Sequence, residues 1–350
     1  MNTENKTMTM WDLQLFADAS AQLQNTTGTT GMKPELKTYY ERRLIELAEP
    51  KLVHDQFGDS YPIPANNGKT IEFRKYDSLP KATTALTEGV TPEGQAMTVT
   101  TITAEVKQYG GWVPVTDVLQ MAALDNNIVQ ATKLLASQAG RTLDTIVRDV
   151  MVGGTNVIYA PKIAAGTGAT TAVTQRTGLD ATSVLTPDLI FQAATVLSAM
   201  NADAIGDSYV AIVHPYVAYD LMRNEEWIDV HKYADPEAIF NGEIGKLGNV
   251  RFVQSSEAKI WKDSSCPSDG SDGNLAVFAT MVLGAHAYAS TELEGGGLEH
   301  IVKQLGYGDD PLNQRASVGW KAIKTAERLV EQYMVRIEST SAYSVKAAAN

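Results

Sequence analysis

The stretch that decides the fold opens with Gly68-Lys69-Thr70-Ile71-Glu72-Phe73-Arg74-Lys75-Tyr76. It resumes, after a turn-rich interval, as Met97-Thr98-Val99-Thr100-Thr101-Ile102-Thr103-Ala104-Glu105-Val106. The first segment alternates polar and apolar residues, and the second is dense in β-branched residues, so both are expected to be strands. Between them Leu86, Thr87, Glu88, Gly89, Val90, Thr91, Pro92, Glu93 and Gly94 are rich in turn formers. The reading is two long strands joined by an extended tip. Their outer portion has few large apolar residues and so little core to lie on. An isolated two-stranded ribbon is marginal in water, and its open edges invite a partner. The tip residues Leu86 to Gly94 are therefore the candidate contact surface.

Working outward, a long helix is expected over roughly 125–152. Ile128, Thr132, Leu135, Ala139, Leu143, Ile146 and Val150 recur on one face at the helical period, and Gln130, Lys133, Arg141, Asp144 and Arg148 fall elsewhere. Asp125 or Asn126 is placed to cap it, and Gly153-Gly154 to stop it. Upstream, Pro34, Leu36, Tyr40, Leu44 and Leu47 predict a helix over 34–49 that Pro50 ends. Tyr61-Pro62-Ile63-Pro64 reads as extended chain. Residues 1–33 read as a flexible arm around Asn25-Thr26-Thr27-Gly28-Thr29-Thr30-Gly31. Inside it Trp11, Leu13, Leu15 and Phe16 form an apolar patch that should dock on the body of the protein or on a neighbour.

Downstream, residues 160–183 are small and polar, a loop or surface insertion. Thr186-Pro187-Asp188 opens another helix, with threonine as cap, proline in first position and an acid in the first turn. Tyr209–Val213 is an apolar, buried strand, and His214-Pro215 starts a short helix through Leu221. Further strands are expected at 249–254 and 274–283, whereas Thr325 to Glu338 mixes strand and helix signals. The mixture defines an α+β chain without a fixed-period repeat.

Composition narrows the classes. The 350 residues are 44% hydrophobic and 20% charged, enough for one large domain or two modest ones. No run reaches the roughly 18–20 apolar residues a bilayer crossing needs, and Met1 to Met10 is too polar for a secretory signal. The protein is expected to stay where it is made and to need no membrane. The single cysteine, Cys266, can form no internal disulfide and no cysteine zinc site. Asp and Glu number 41 against 29 Lys and Arg, a net charge of −12. An acidic chain is a poor general binder of nucleic acid, although a wall around packed DNA is better acidic than basic.

No catalytic set stands out, and neither a metal site nor a cofactor site is expected. His54, His214, His231, His286 and His300 are scattered, without metal-ligand helix spacing. His214, between a buried strand and a proline, reads as a satisfied structural histidine. Gly295-Gly296-Gly297 lacks the strand, helix and lysine of a phosphate cradle, and Gly245 with Gly248 lacks the dinucleotide fingerprint. Ser317 in Ala316-Ser317-Val318-Gly319 is not a nucleophile elbow. Glu225-Glu226 and Asp309-Asp310 are adjacent acids in loops, more suited to solvent than to acid–base work.

The arrangement resembles the tailed-bacteriophage major capsid proteins of the Hong Kong 97 type. Leu13-Gln14-Leu15-Phe16-Ala17 is similar to the start of many phage coat proteins. Thr87-Glu88-Gly89-Val90-Thr91-Pro92-Glu93-Gly94 with Gln108-Tyr109-Gly110-Gly111-Trp112-Val113-Pro114-Val115-Thr116-Asp117 resembles the extended-loop region of one branch. Residues 306–321, Gly306-Tyr307-Gly308-Asp309-Asp310-Pro311-Leu312-Asn313-Gln314-Arg315-Ala316-Ser317-Val318-Gly319-Trp320-Lys321, resemble its late segment. The resemblance implies an N-terminal arm (1–33), a helix and extended connection of a peripheral domain (34–67), and an extended β-loop over a neighbour (68–116). It further implies a peripheral domain with a spine helix (117–186), an axial α/β domain (187–290) and a return to the periphery (291–350). It also implies self-assembly into hexamers and pentamers of an icosahedral shell enclosing double-stranded DNA without specific binding. Scaffolding, portal and decoration proteins would be further partners. The site would be the virion capsid, with the host cytoplasm during assembly. The alternatives are an encapsulin-type cargo compartment, a soluble α/β enzyme acting through acidic residues, and a phage decoration or tail protein.

Overall fold

The computed structural model describes residues 25–26, 53–91, 93–122, 127–164, 166–227, 243–270, 273–307 and 310–350. The expected helix over 34–49 and the caps Asp125 and Asn126 lie outside them. The chain forms two compact units. The larger comprises Ile45–Gly110, Ala136–Glu299 and Lys321–Asn350, and the smaller Met1–Leu44, Gly111–Leu135 and His300–Trp320.

The elements used below are β1 (Thr70–Tyr76), β2 (Val99–Glu105), β3 (Lys107–Thr116), α1 (Asp117–Ala122), α2 (Asn127–Met151), β4 (Val157–Tyr159), α3 (Pro187–Ala199), β5 (Tyr209–Val213), α4 (Pro215–Met222), β6 (Glu243–Leu247), β7 (Val250–Gln254), β8 (Val277–Leu283), β9 (Tyr288–Glu292), β10 (Glu299–Lys303), β11 (Arg315–Arg328) and β12 (Met334–Ser339). Residues 325–338, ambiguous in sequence, resolve into the end of β11, one 3-10 turn at Glu331–Tyr333 and most of β12. Among the described residues of 160–183 the regular structure is a minimal hairpin, Lys162–Ile163 with Thr170–Thr171, and a turn at Arg176–Gly178.

The core of the larger unit is a mixed sheet ordered β6-β7-β5-β8-β12-β4, with Ile260–Trp261 also paired to β8. β5 is parallel to β7 and antiparallel to β8, and β12 is parallel to β4. Alternate β5 residues serve two cores. Tyr209, Ala211 and Val213 pack with Leu189, Ile190, Leu197 and Val217 of α3 and α4. Val210 and Ile212 pack with Val147 and Met151 of α2. Helices on both faces explain why β5 and β8 are wholly buried and read as continuous apolar runs.

α2 requires a correction to the sequence reading. Its apolar stripe does include Ile128, Leu135, Ala139 and Leu143, but Asp144 and Arg148 are buried with them. Asp144 accepts hydrogen bonds from Val53 N–H (2.8 Å), His54 N–H (2.8 Å) and His54 Nδ1 (2.6 Å). The Tyr288 hydroxyl donates to the His54 carbonyl. The Tyr288 ring also lies where a Cβ on Gly58 would have to sit. Lys324 Nζ reaches Asp55 Oδ2 at 2.5 Å. Residues 53–60 are thereby fastened to α2, β9 and β11. Arg148 instead donates to the Glu257 carbonyl (2.7 Å) and to Asp149.

Thr186 sits at the N-cap of α3 but its hydroxyl makes no capping bond, so the start rests on Pro187 and Asp188. His214 is the cap that works: its Nδ1 accepts the Tyr216 N–H at 3.2 Å, and its ring packs against Tyr216 and Phe278. Burial pushes its pKa from 6.5 down to about 4, and protonation of Nδ1 would abolish the cap. The unfolded chain takes up a proton near pH 6.5 that the folded chain refuses until about 4. Stability therefore falls as pH drops through that window and levels off below it. The expected loss is about 2 kcal/mol after allowance for residual solvent screening. Denaturant melts between pH 7.5 and 4 should show this slope in the parent and a flatter one in His214→Asn, which caps without titrating. Equal slopes would remove His214 from the explanation.

In the smaller unit, Gly111–Thr116 of β3 and Arg315–Trp320 of β11 belong to neighbouring strands, and β10 also pairs with β11. Asn25–Thr26 runs parallel to Val115–Thr116. A Cβ on Gly319 would lie 3.0 Å from that of Trp112, so glycine lets the strand bearing Trp112 approach.

Candidate subunit interface

β1 and β2 pair antiparallel in one unbroken register, from Thr70 opposite Glu105 to Tyr76 opposite Val99. The ribbon has two unequal faces. Ile71, Phe73, Ile102 and Ala104 form the half-buried one, with Phe73 edge-on to Tyr61 at 5.5 Å. Glu72, Arg74, Thr101 and Thr103 form an exposed polar face. Its base carries the Lys69–Glu105 pair at 2.6 Å. The hydrogen bond and positive charge of Lys69 hold the Glu105 carboxyl below its ordinary range. Fully in water, that pair contributes little to stability.

Beyond Tyr76 and Val99 one further bond, Asp77 N–H to the Thr98 carbonyl (3.1 Å), closes the ladder. The described residues from Asp77 to Thr98 are all exposed. Of the predicted tip, Leu86 is 76% and Val90 63% exposed, and Thr87, Glu88, Gly89, Thr91, Glu93 and Gly94 are open to solvent with them. Pro92 lies outside the described residues, as do Trp11, Leu13, Leu15 and Phe16 of the arm. Val90 N–H bonds to the Thr87 carbonyl (3.1 Å), and Gly89 takes φ +78°, the left-handed turn conformation that favours glycine. Tyr76, Leu79, Met97 and Val99 extend the exposed apolar set along the ribbon.

A second exposed set was not legible in the sequence. In the smaller unit Trp112, Val118, Met121, Tyr307 and Leu312 all point into solvent. Their positions are held by local bonds. Asp117 N–H donates to the Gln314 carbonyl at 3.1 Å, bringing the start of α1 to the end of the 304–314 loop. A Cβ on Gly306 (φ +83°) would collide with Asn313 Oδ1 at 2.4 Å, so glycine lets the Asn313 side chain approach the backbone there. Asp310 Oδ2 accepts the Arg315 N–H at 2.6 Å, and Lys303 Nζ lies 4.9 Å over the Tyr307 ring. Gly306, Asp310, Asn313 and Gly319 give physical reasons for the residue choices in 306–321.

The groups that could carry chemistry are dispersed. His54 is paired with Asp144, His286 with Asp59 at 2.7 Å, and His214 caps α4. Asp59 raises the His286 pKa through its hydrogen bond and charge. His231 and Asp309 lie outside the described residues. Glu225 and Glu226 are exposed, and Gly295 (φ +82°) turns the chain between β9 and β10. Cys266 is buried, and burial raises its thiol pKa. Among the described residues no three His, Cys, Asp or Glu side chains gather as metal ligands, and no helix is long and apolar enough to cross a membrane.

Comparison with solved structures places this fold. The capsid of Ralstonia phage GP4 aligns with a TM-score of 0.59 at 13% identity, over 96% of this chain and 98% of that one. The cyanophage Pam1 capsid asymmetric unit aligns at 0.57 and 13% identity, over 95% and 100%. The capsid of cyanophage P-SCSP1u aligns at 0.55 and 17% identity, over 81% and 86%. The fold is therefore that of phage capsid subunits, consistent with the Hong Kong 97 type. The chain belongs to the phage capsid protein family, whose model matches residues 99–326. No curated protein sequence matches it. It is a structural protein of a phage shell.

Proposed function

We propose that this chain is the major capsid protein that closes an icosahedral shell, as hexamers and pentamers, around double-stranded DNA. The ribbon of one copy lies on its neighbour through the tip Leu86–Gly94. The observation that carries this reading is the ribbon itself, which has seven paired residues per strand and an end whose described residues are all exposed. Burying Leu86, Val90 and Met97 against another copy would contribute on the order of 5 kcal/mol, which the monomer forgoes. In this assignment α2 is the spine of the peripheral domain, residues 187–290 form the axial domain, and the arm docks through Trp11, Leu13, Leu15 and Phe16. The net charge of −12 suits a wall that holds DNA without binding it specifically. Scaffolding, portal and decoration proteins are its further partners, and assembly takes place in the host cytoplasm. The chain performs no catalysis.

Deleting residues 84–96 tests the reading. The described residues among them are all exposed, so the melting temperature should stay within about 2 °C of the parent, the range of a surface change. Sedimentation and negative-stain microscopy should find a folded subunit and no shells. Normal shells from the deletion would overturn the role of the loop.

A further inference from the structure

Asparagine followed by glycine occurs twice in the chain, as Asn67-Gly68 and Asn241-Gly242. The second pair lies outside the described residues. The first stands in the joint between the body of the larger unit and the ribbon. Upstream of it Ile63 is 3% exposed, bridges to Leu293 and donates its N–H to the Glu292 carbonyl at 2.8 Å. Downstream the ladder of β1 and β2 begins at Thr70. Between these two anchors residues 64–69 are all exposed.

The backbone of the joint is a turn. Asn67 N–H donates to the Pro64 carbonyl at 3.3 Å, and Asn66 (φ +67°) and Gly68 (φ +85°) both take the left-handed conformation. A Cβ on Gly68 would meet nothing within 4 Å. Among the described residues the Gly68 N–H has no acceptor and the Asn67 carboxamide has no partner. The Gly68 nitrogen is therefore open to solvent, unpaired and unshielded by any side chain of its own. Asparagines elsewhere differ on each count. Asn156 Nδ2 donates to the Met334 carbonyl at 2.9 Å, and Asn274 Nδ2 to the Asp263 carbonyl at 2.7 Å. Each precedes a branched residue, Val157 or Leu275, which crowds the next nitrogen.

We propose that Asn67 is a site of spontaneous deamidation, with the Gly68 nitrogen as nucleophile and water as co-reactant. The nitrogen bonds to Asn67 Cγ, the Cγ–NH2 bond breaks, and ammonia leaves with the proton that Gly68 gives up. The product is a succinimide ring. Water then opens it at either carbonyl, restoring one C–N bond as an aspartate or an isoaspartate link. No oxidant or reductant is involved, and base speeds the reaction because the attacking nitrogen must lose its proton. The modified joint gains a negative charge two residues from Lys69, whose ammonium already pairs with Glu105. The isoaspartate form also lengthens the main chain by one methylene between Ile63 and the ribbon. The inference is independent of the proposed shell, since it needs one folded copy alone.

Peptide mass mapping of the full-length chain, held at pH 8.5 and 37 °C, tests it. The peptide containing Asn67 should gain one dalton in ordinary water and three in water enriched in the heavy isotope of oxygen. It should also become a substrate for isoaspartyl methyltransferase. Backbone that the fold leaves free reacts as it does unfolded, so the native rate should lie within about threefold of that in guanidinium. Asn156 and Asn274 should stay unconverted in the native chain, and the Asn241 peptide is scored separately. Asn67→Gln should remove the signal at this peptide, because its ring would need six members. Asn67 that persists in the native chain while the denatured chain converts would overturn the proposal, as would a product lacking heavy oxygen. Should Asn67→Gln fail to fold, the native and denatured parent chains decide alone.

Discussion

Replacing Asp144 by alanine should lower the melting temperature of the larger unit by on the order of 10 °C. The carboxylate is fully buried and accepts three hydrogen bonds, two from backbone amides at the 53–54 turn and one from His54 Nδ1. Alanine leaves three donors without an acceptor, the part-buried Val53 amide and the buried His54 amide and ring. Such losses cost about 3–5 kcal/mol, more than the worth of the bonds themselves, because the orphaned groups keep their desolvation penalty. At roughly 2–4 °C per kcal/mol for a domain of this size, the shift follows. Asparagine is the discriminating control. Its single oxygen can keep both backbone amides, since both bond to the same Oδ1. Its amide can face His54 in the other tautomer, so its cost should be nearer 1–2 kcal/mol. Calorimetry in which the two variants melt together would sink the account.

The same residue shows where a sequence reading stops. Periodicity located α2 almost to its ends, because its apolar positions recur at 3.6 residues and Gly153-Gly154 follow. Periodicity also assigns charge to the solvent side, and that is why Asp144 and Arg148 were misplaced. Their partners are distant in sequence: 90 positions separate His54 from Asp144 and 109 separate Arg148 from Glu257. β1, β2, β5 and α4 were legible because each depends on local pattern alone. The exposure of the tip was legible too, since Leu86–Gly94 offers little to bury. The second exposed set was not, because its two stretches of chain are joined by a backbone bond between Asp117 and Gln314, residues distant in sequence.

Glu338 carries the other large effect. It is fully buried on β12 between two arginines. Arg176 grips it bidentately, both contacts 2.7 Å, and Arg336 Nε reaches the same carboxylate at 2.9 Å. The Trp261 ring lies 3.8 Å below the Arg176 guanidinium and 5.5 Å from that of Arg336. Arg336 also donates to the carbonyls of Val152 and Gly154, just past the end of α2. It thus sits where the helix dipole favours a cation. Glu338→Leu should cost about 3–5 kcal/mol, because two guanidiniums then face each other in a poorly hydrated site. The second step follows from the partners that remain. Adding Arg176→Met to that variant removes the repulsion, and Arg336 keeps its helix-end carbonyls while methionine fills the space over Trp261. The double variant should therefore be more stable than Glu338→Leu alone, with a coupling of roughly 2 kcal/mol or more between the two positions. Adding Arg336→Leu instead should recover less, since it orphans the two carbonyls. Denaturant melts of the parent, of Glu338→Leu and Arg176→Met alone, and of the two double variants decide it. If the losses from Glu338→Leu and Arg176→Met simply add, the triad is not the unit that joins β12 to the turn at 176–178.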